Sequence, residues 1–115
     1  MRESGQGTGF IRVALQDVCN RISSGGTPSR KRKEYFSSSN TGHLWIKSSE
    51  LLDGPIDDTE EKITDEGLKS SSAKYYPSET VLIAMYGATV GQLGWLRLPA
   101  TANQAVCGLV VDQKV

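Results

Sequence analysis

Thr80-Val81-Leu82-Ile83-Ala84-Met85-Tyr86, followed by Gly87-Ala88-Thr89-Val90-Gly91, is the longest apolar run in the chain, and its neighbours on either side are placed relative to it. It is far too short for the ~20 residues that cross a bilayer. Its β-branched content favours a strand. Because no position along it is charged, it reads as a central strand buried on both faces, stopped by glycines that permit a turn. Downstream, residues 93–98 and 105–111 form two further strands, separated by the connection Pro99-Ala100-Thr101-Ala102-Asn103-Gln104. Upstream, His43-Leu44-Trp45-Ile46-Lys47 is a strand that runs into Ser48 or Ser49 as the cap of a short helix, with a turn at Asp53-Gly54-Pro55. Thr64 caps a second helix. Asp65 and Glu66 sit in its first turn, where the helix dipole favours acids, and Ile63 meets Leu68 across the cap. Gly67 and the serines at 70–72 keep that helix short. Nearer the start, residues 10–15 alternate as a short strand, and residues 16–22 place Val18, Cys19 and Ile22 on one side of a short helix. The expected class is α+β: a β-rich domain of twisted, mainly antiparallel strands with short helices.

The chain's 115 residues, 37% of them hydrophobic, suit one domain. Residues 1–11 are expected to be a flexible terminus, 12–112 the domain and 113–115 a tail. Gly5-Gln6-Gly7-Thr8-Gly9 imitates a nucleotide-binding loop, but no strand precedes it. With no apolar signal segment after Met1, the expected location is the cytoplasm, without membrane association. Two distant cysteines, Cys19 and Cys107, and a single histidine, His43, exclude a zinc module of the usual spacing and speak against a disulfide scaffold.

Thirteen cations balance thirteen acids, yet the signs are segregated along the chain. Residues 1–33 hold seven Lys or Arg against two acids, residues 34–66 two against nine, and residues 67–115 four against two. A basic loop and an acidic middle imply two different faces. The basic cluster Ser29-Arg30-Lys31-Arg32-Lys33 lies in a long Ser-, Gly- and Pro-rich stretch, residues 23–42, that starts at Gly25-Gly26-Thr27-Pro28. Loops of this length inside a compact domain usually carry function.

Catalytic signals are nearly absent. His43 has no nucleophile or carboxylate at a diagnostic spacing. The acids around Asp57-Asp58-Thr59-Glu60-Glu61 are crowded into one run, whereas a metal-dependent nuclease collects its carboxylates from separate strands. Neither a phosphate-binding loop nor a methyltransferase motif occurs. Nucleic-acid binding has more support, since four adjacent cations beside two glycines can follow phosphates. Asn103 and Gln104 are residue types that read adenine, although an Asn between strands more simply bonds its own backbone. Tyr86 and Trp95 are core or rim residues on the same reasoning.

Taken in order, several stretches follow one pattern: Ala14-Leu15-Gln16-Asp17-Val18-Cys19, Ser24-Gly25-Gly26-Thr27-Pro28-Ser29, Glu34-Tyr35-Phe36 and Leu44-Trp45-Ile46-Lys47-Ser48-Ser49-Glu50-Leu51. It continues through residues 58–69, Ser72-Ala73-Lys74 and Val81 to Gly91, and closes on Pro99-Ala100-Thr101-Ala102-Asn103-Gln104-Ala105. The series resembles the target recognition domain of the DNA-specificity subunit of type I restriction-modification systems. The resemblance implies a noncatalytic reader of double-stranded DNA with no cofactor. It implies as partners modification subunits, which methylate adenine, and restriction subunits, which cut DNA in an ATP-driven reaction. In that family two such domains, joined by long helices, each read half of a bipartite sequence. This chain is too short for two and lacks the long spacer helix, so it is expected to be a truncated domain that would pair with a second copy to read two half-sites.

Thr27, Ser29, Arg30, Lys31, Arg32, Lys33, Lys47, Ser48, Thr89, Asn103 and Gln104 are the candidate DNA-binding residues. Gly25, Gly26, Pro28, Tyr86, Gly87 and Gly91 are the candidate scaffold of the recognition loops. The competing expectation is a protein-interaction module, or a nonfunctional remnant, that uses the acidic face from Asp53 to Glu66.

Overall fold

The computed structural model describes residues 19–38 and 40–111. Its strands are β1 (Cys19–Ser24), β2 (Phe36–Ser37), β3 (His43–Ile46), β4 (Gly54–Ile56), β5 (Glu61–Ile63), β6 (Val81–Ala84), β7 (Leu93–Leu96), β8 (Thr101–Ala102) and β9 (Val106–Val111). One α-helix, α1 (Asp65–Lys69), and two single 3-10 turns, Lys33–Tyr35 and Ser48–Glu50, complete the elements among the described residues. The strands form two sheets, a five-stranded one in the order β1-β9-β6-β7-β4 and a four-stranded one in the order β2-β5-β3-β8. Each is mixed: β4 runs parallel to β7 and β8 parallel to β3, and the other pairings are antiparallel.

The α+β, β-rich expectation holds in outline, with fewer helices than expected. Several local readings are corrected. Residues 19–22 are not helical but belong to β1, pairing with β9 from Cys19↔Val111 to Ser24↔Cys107. That pairing joins residues 83 to 92 positions apart, and its ladder of hydrogen bonds overrides a weak local helical pattern. Residues 16–18, the strand expected at 10–15, the glycine-rich stretch at 5–9 and the tail at 113–115 lie outside the described residues. The expected loop at 23–42 gives up its first two residues to β1 and contains the Lys33–Tyr35 turn and β2. Neither Ser48 nor Ser49 is a cap. Lys47 precedes a single 3-10 turn, and its N–H donates to Glu50 Oε2 at 2.9 Å. Asp53, in a left-handed conformation (φ 59°), is a single bend directly before β4, and Gly54 and Pro55 of the expected turn belong to that strand.

The run at 80–86 is the middle strand of its sheet, as its composition implied, but it is not buried on both faces. In β6, Leu82 and Ala84 are buried while Val81 and Ile83 are half-buried, and Met85 and Tyr86 stand more than half exposed. β6 has antiparallel neighbours on both sides, an arrangement that needs only one covered face. The core lies on its inner side, where Leu82 and Ala84 join Leu51, Ile56, Tyr76 and Leu96. Tyr76 is fully buried; its hydroxyl donates to Ser23 O at 2.7 Å, and its ring occupies the space where a Cβ on Gly108 would stand. A second cluster of Trp45, Ile63 and Ala73 sits under the smaller sheet. Thr64 caps α1 as expected, accepting the Gly67 N–H at 3.1 Å, and Leu68 packs against the cluster that contains Ile63.

The chain passes between the sheets several times, most tightly from β8 to β9. Residues 101–102 pair with β3 as β8, and residues 106–111 pair with β1 and β6 as β9. The Asn103-Gln104 turn between them is the seam of the molecule.

Candidate nucleic-acid interface

The seam gathers stretches that are far apart in sequence. Gly25 N–H donates to Val106 O and Gly26 N–H to Ala102 O, each at 2.9 Å. The Trp45 indole donates to Gly26 O at 3.0 Å, and Asn103 N–H donates to Ile46 O at 2.8 Å. From the β6–β7 connection, Met85 N–H donates to Ala105 O at 2.7 Å and the Thr89 hydroxyl to Ser48 O at 2.9 Å. Across the top, the Thr27 hydroxyl donates to Gln104 Oε1. The strand that ends just before Lys47 and Ser48 is thereby bonded to the turn through its backbone, at Ile46, Thr89 is bonded to Ser48, and Thr27 reaches Gln104 through its side chain.

The two glycines at the loop entrance are needed for space, not for flexibility. A Cβ on Gly25 would stand 2.1 Å from Ala102 O, and one on Gly26 2.4 Å from Ala73 N. No side chain fits where backbones approach so closely. Pro28 is fully buried beside them. Gly87 and Gly91 differ: their φ values of 95° and 88° lie in the left-handed region, and open space surrounds the position a Cβ would take. Tyr86 is 53% exposed, so its ring is not packed into the loop scaffold. Asn103 Oδ1 accepts the Ala105 N–H at 3.1 Å, the backbone-bonding role that the sequence offered as the alternative to base contact. Gln104 is the exposed member of the turn.

The basic cluster divides into tied and untied cations. Arg30 reaches both carboxylate oxygens of Glu61, at 2.8 and 3.0 Å, and its guanidinium lies over Phe36 (4.2 Å) and Trp45 (5.2 Å). The hydrogen bond to Arg30 pulls the Glu61 carboxyl below its ordinary range and raises the guanidinium in turn. Arg32 pairs with Glu34 at 2.8 Å and stacks over Tyr35. Lys47 Nζ lies 2.7 Å from Glu60 and 3.6 Å from Glu61, and the hydrogen bond to Glu60 holds its pKa up. Lys31 and Lys33 are exposed and make no ion pair with a described residue. Ser29 is exposed and turns the loop, its hydroxyl accepting Lys31 N–H at 3.3 Å. The basic and acidic blocks are thus in contact through Arg30–Glu61 and Arg32–Glu34, which corrects the expectation of two separate faces. Nothing local in the sequence points to Glu61, since it lies 31 residues from its partner.

Outside the seam, the fold gives His43 partners that its sequence neighbourhood did not show. His43 is held between the Tyr75 hydroxyl, at Nδ1, and Asp65 Oδ1, 2.6 Å from Nε2, with its ring edge-on to Tyr75. Among the described residues no group of three or more His, Cys, Asp or Glu side chains is placed to hold a metal ion. Acids of the middle block that do not pair with the basic loop help form an open cavity of about 460 Å³, lined by Glu50, Asp57, Asp58 and Glu60 with Leu52 and Pro55; Asp58 is paired with Lys62 and Glu60 with Lys47. Cys107 is a free thiol. No helix of the described residues is long and apolar enough to cross a membrane.

No family model matches the chain. In sequence it is similar to the type I restriction enzyme EcoR124I/EcoR124II specificity subunit of Escherichia coli, 26% identical over 94 residues that make up 79% of this chain and 23% of that protein. In structure it is similar to the HsdS subunit of Thermoanaerobacter tengcongensis, with a TM-score of 0.61 and 18% identity over 88% of this chain and 23% of that one. A chain from a structure describing complex assembly and conformational transition of the type I R-M system gives a TM-score of 0.63, again at 18% identity and with the same coverage. The chain therefore spans about a quarter of the length of these proteins, at 23%. The resemblance read from the ordered motifs is borne out by a homologue of the named kind and by a shared fold.

Proposed function

We propose that this chain is a DNA-reading domain of a type I specificity subunit, which binds one half of a bipartite target and leaves methylation and cleavage to partner modification and restriction subunits. The observation that carries this reading is the convergence at the Asn103-Gln104 turn of the stretches containing Thr27, Lys47, Ser48 and Thr89, with the cationic loop issuing from the same place. Backbone and side-chain hydrogen bonds bring these polar stretches together, as direct readout requires, while the loop supplies charge for phosphates. Gln104 is the exposed amide, and Asn103 positions it. Lys31 and Lys33 are the cations available to phosphates without breaking an internal pair. Arg30 and Arg32, tied to Glu61 and Glu34, shape the loop and contribute charge second. The similarity to specificity subunits supports a noncatalytic role, and residues 12–112 act as one recognition unit.

Salt dependence tests the reading. Binding of the chain to a labelled duplex, followed by fluorescence anisotropy from low to moderate salt, should weaken linearly on a log–log plot. Lys31→Ala with Lys33→Ala should lower that slope by about 1.8, at roughly 0.9 for each phosphate that is no longer neutralised. A slope that the double substitution leaves unchanged contradicts the assignment. The acidic cavity of Glu50, Asp57, Asp58 and Glu60 favours a second reading, docking of a basic protein. Binding to DNA that is absent at all salt concentrations would favour it.

A further inference from the structure

The connection between β6 and β7 exposes apolar side chains at its tip and carries no charge. Met85 is 52% exposed, Tyr86 53% and Val90 60%, and residues 80–96 contain no Lys, Arg, Asp or Glu. The tip is nevertheless firmly built. Gly91 N–H donates to Ala84 O at 2.9 Å, Gln92 N–H to Thr89 O at 3.0 Å and Val90 N–H to Gly87 O at 3.3 Å, while the Thr89 hydroxyl ties the tip to Ser48 O. Clustered apolar side chains held in water by an ordered loop mark a contact surface.

Register tells the three side chains apart. β6 pairs with β9 from Val81↔Leu109 to Ala84↔Val106, and the Met85 N–H bond to Ala105 O carries that register one residue further. One more step brings Tyr86 level with Gln104, and opposed positions of an antiparallel pair hold their Cβ atoms about 5 Å apart. Alternation past the buried Leu82 and Ala84 puts Tyr86 on the inner side of the strand. Met85 falls on the outer side with Val81 and Ile83. Val90 lies on the arm that leads to β7, and β6 stands between that strand and β9.

We propose that Tyr86 is a specificity-determining side chain whose ring contacts the 5-methyl group of a thymine, at or next to the base pair that Gln104 reads; the assignment rests on the DNA-reading function proposed above. Thymine is the one base that presents a methyl group in the major groove, and apolar contact is how that group is recognised. Thr27, Lys31, Lys33 and Gln104 offer hydrogen bonds and charge, so Tyr86 supplies what they lack. The Thr27 hydroxyl donates to Gln104 Oε1 and so fixes the neighbouring amide, whose Nε2 and second Oε1 lone pair suit adenine N7 and N6. An uncharged tip approaches a duplex without repelling its phosphates, and a tyrosine ring has only two rotatable bonds to immobilise. A protein partner would also cover an apolar tip, but the level that Tyr86 shares with Gln104 favours DNA.

Removal of single methyl groups tests the contact. The full chain selects a motif from a random duplex library, and duplexes of that motif are then made with deoxyuridine in place of each thymine in turn, which deletes the methyl alone. At one position the replacement should weaken binding about fourfold, the worth of one buried methyl. Tyr86→Ala should weaken binding to the thymine duplex by the same factor and lose nothing further on the uracil duplex, while Tyr86→Phe keeps the methyl effect of the parent. A methyl effect that persists in Tyr86→Ala or vanishes in Tyr86→Phe overturns the proposal, as does a motif that lacks thymine or is indifferent to every methyl. Those results leave the DNA-reading function standing, whereas a library that emerges unenriched removes both. If Tyr86→Ala binds the thymine duplex as the parent does but no longer retains a type I modification subunit, the tip docks protein and the proposal is overturned.

Discussion

Glu61 is the residue on which the basic loop rests, because it binds Arg30 with both oxygens and lies 3.6 Å from Lys47 Nζ. Its carboxyl is held below the ordinary value of 4.5, first by the hydrogen bond from Arg30. A depressed folded pKa contributes stability that is complete above about 4.5 and is lost as pH falls through the lowered value. Glu61→Gln should therefore flatten the fall of melting temperature below that pH. At neutral pH it should cost about 1 kcal/mol, modest because Arg30 is half exposed. An acid limb identical to that of the parent would show that the pair does not hold the loop. The glycines make a separate test at the same scale. Gly25→Ala, whose Cβ would meet the Ala102 carbonyl, should destabilise the domain by roughly 3 kcal/mol. Gly87→Ala, in open space at a positive φ, should cost about 1 kcal/mol. Urea denaturation distinguishes the two, and equal losses would contradict the crowding assigned to Gly25.

At the scale of elements, what could be read from the sequence was whatever is decided locally. The Thr64 cap, the strand ending at Ile46 and the strands near 93 and 106 carry their signals within a few residues. β1 and β8 do not. Ser23-Ser24 and Thr101-Ala102 have no strand pattern of their own and become strands because β9 and β3 lie beside them. The site shows the same division. Its basic cluster and its Asn103-Gln104 turn were legible as motifs, but the Arg30–Glu61 tie and the Thr27–Gln104 hydrogen bond depend on the fold, being 31 and 77 residues apart. The run at 80–86 was legible as a strand, yet not as one with a single buried face, since composition does not say how many layers cover a sheet. This yields a direct prediction for β6. Leu82→Ala, at a fully buried position, should cost about 2–5 kcal/mol on the scale of other buried leucines, whereas Met85→Ala, just past the strand and 52% exposed, should cost less than about 0.5 kcal/mol. Comparable losses at the two positions would mean that the outer end of the strand is buried.

For the molecule as a whole, balanced charge hides an internal cancellation. Acids of the middle block neutralise Arg30 and Lys47 from within, and the charge offered outward by the basic loop is chiefly that of Lys31 and Lys33. A described basic loop with two untied cations, Lys31 and Lys33, is suited to modest affinity with readout by fixed polar groups, rather than to sequence-blind wrapping of DNA. Selection from a random duplex library measures that distinction most directly. The full chain, alone and together with a type I modification subunit, should enrich one short motif, and Gln104→Ala should relax the choice at one position of it by about 1–3 kcal/mol. Recovery of the library unenriched under both conditions, with DNA still bound, would contradict the claim that this domain reads sequence.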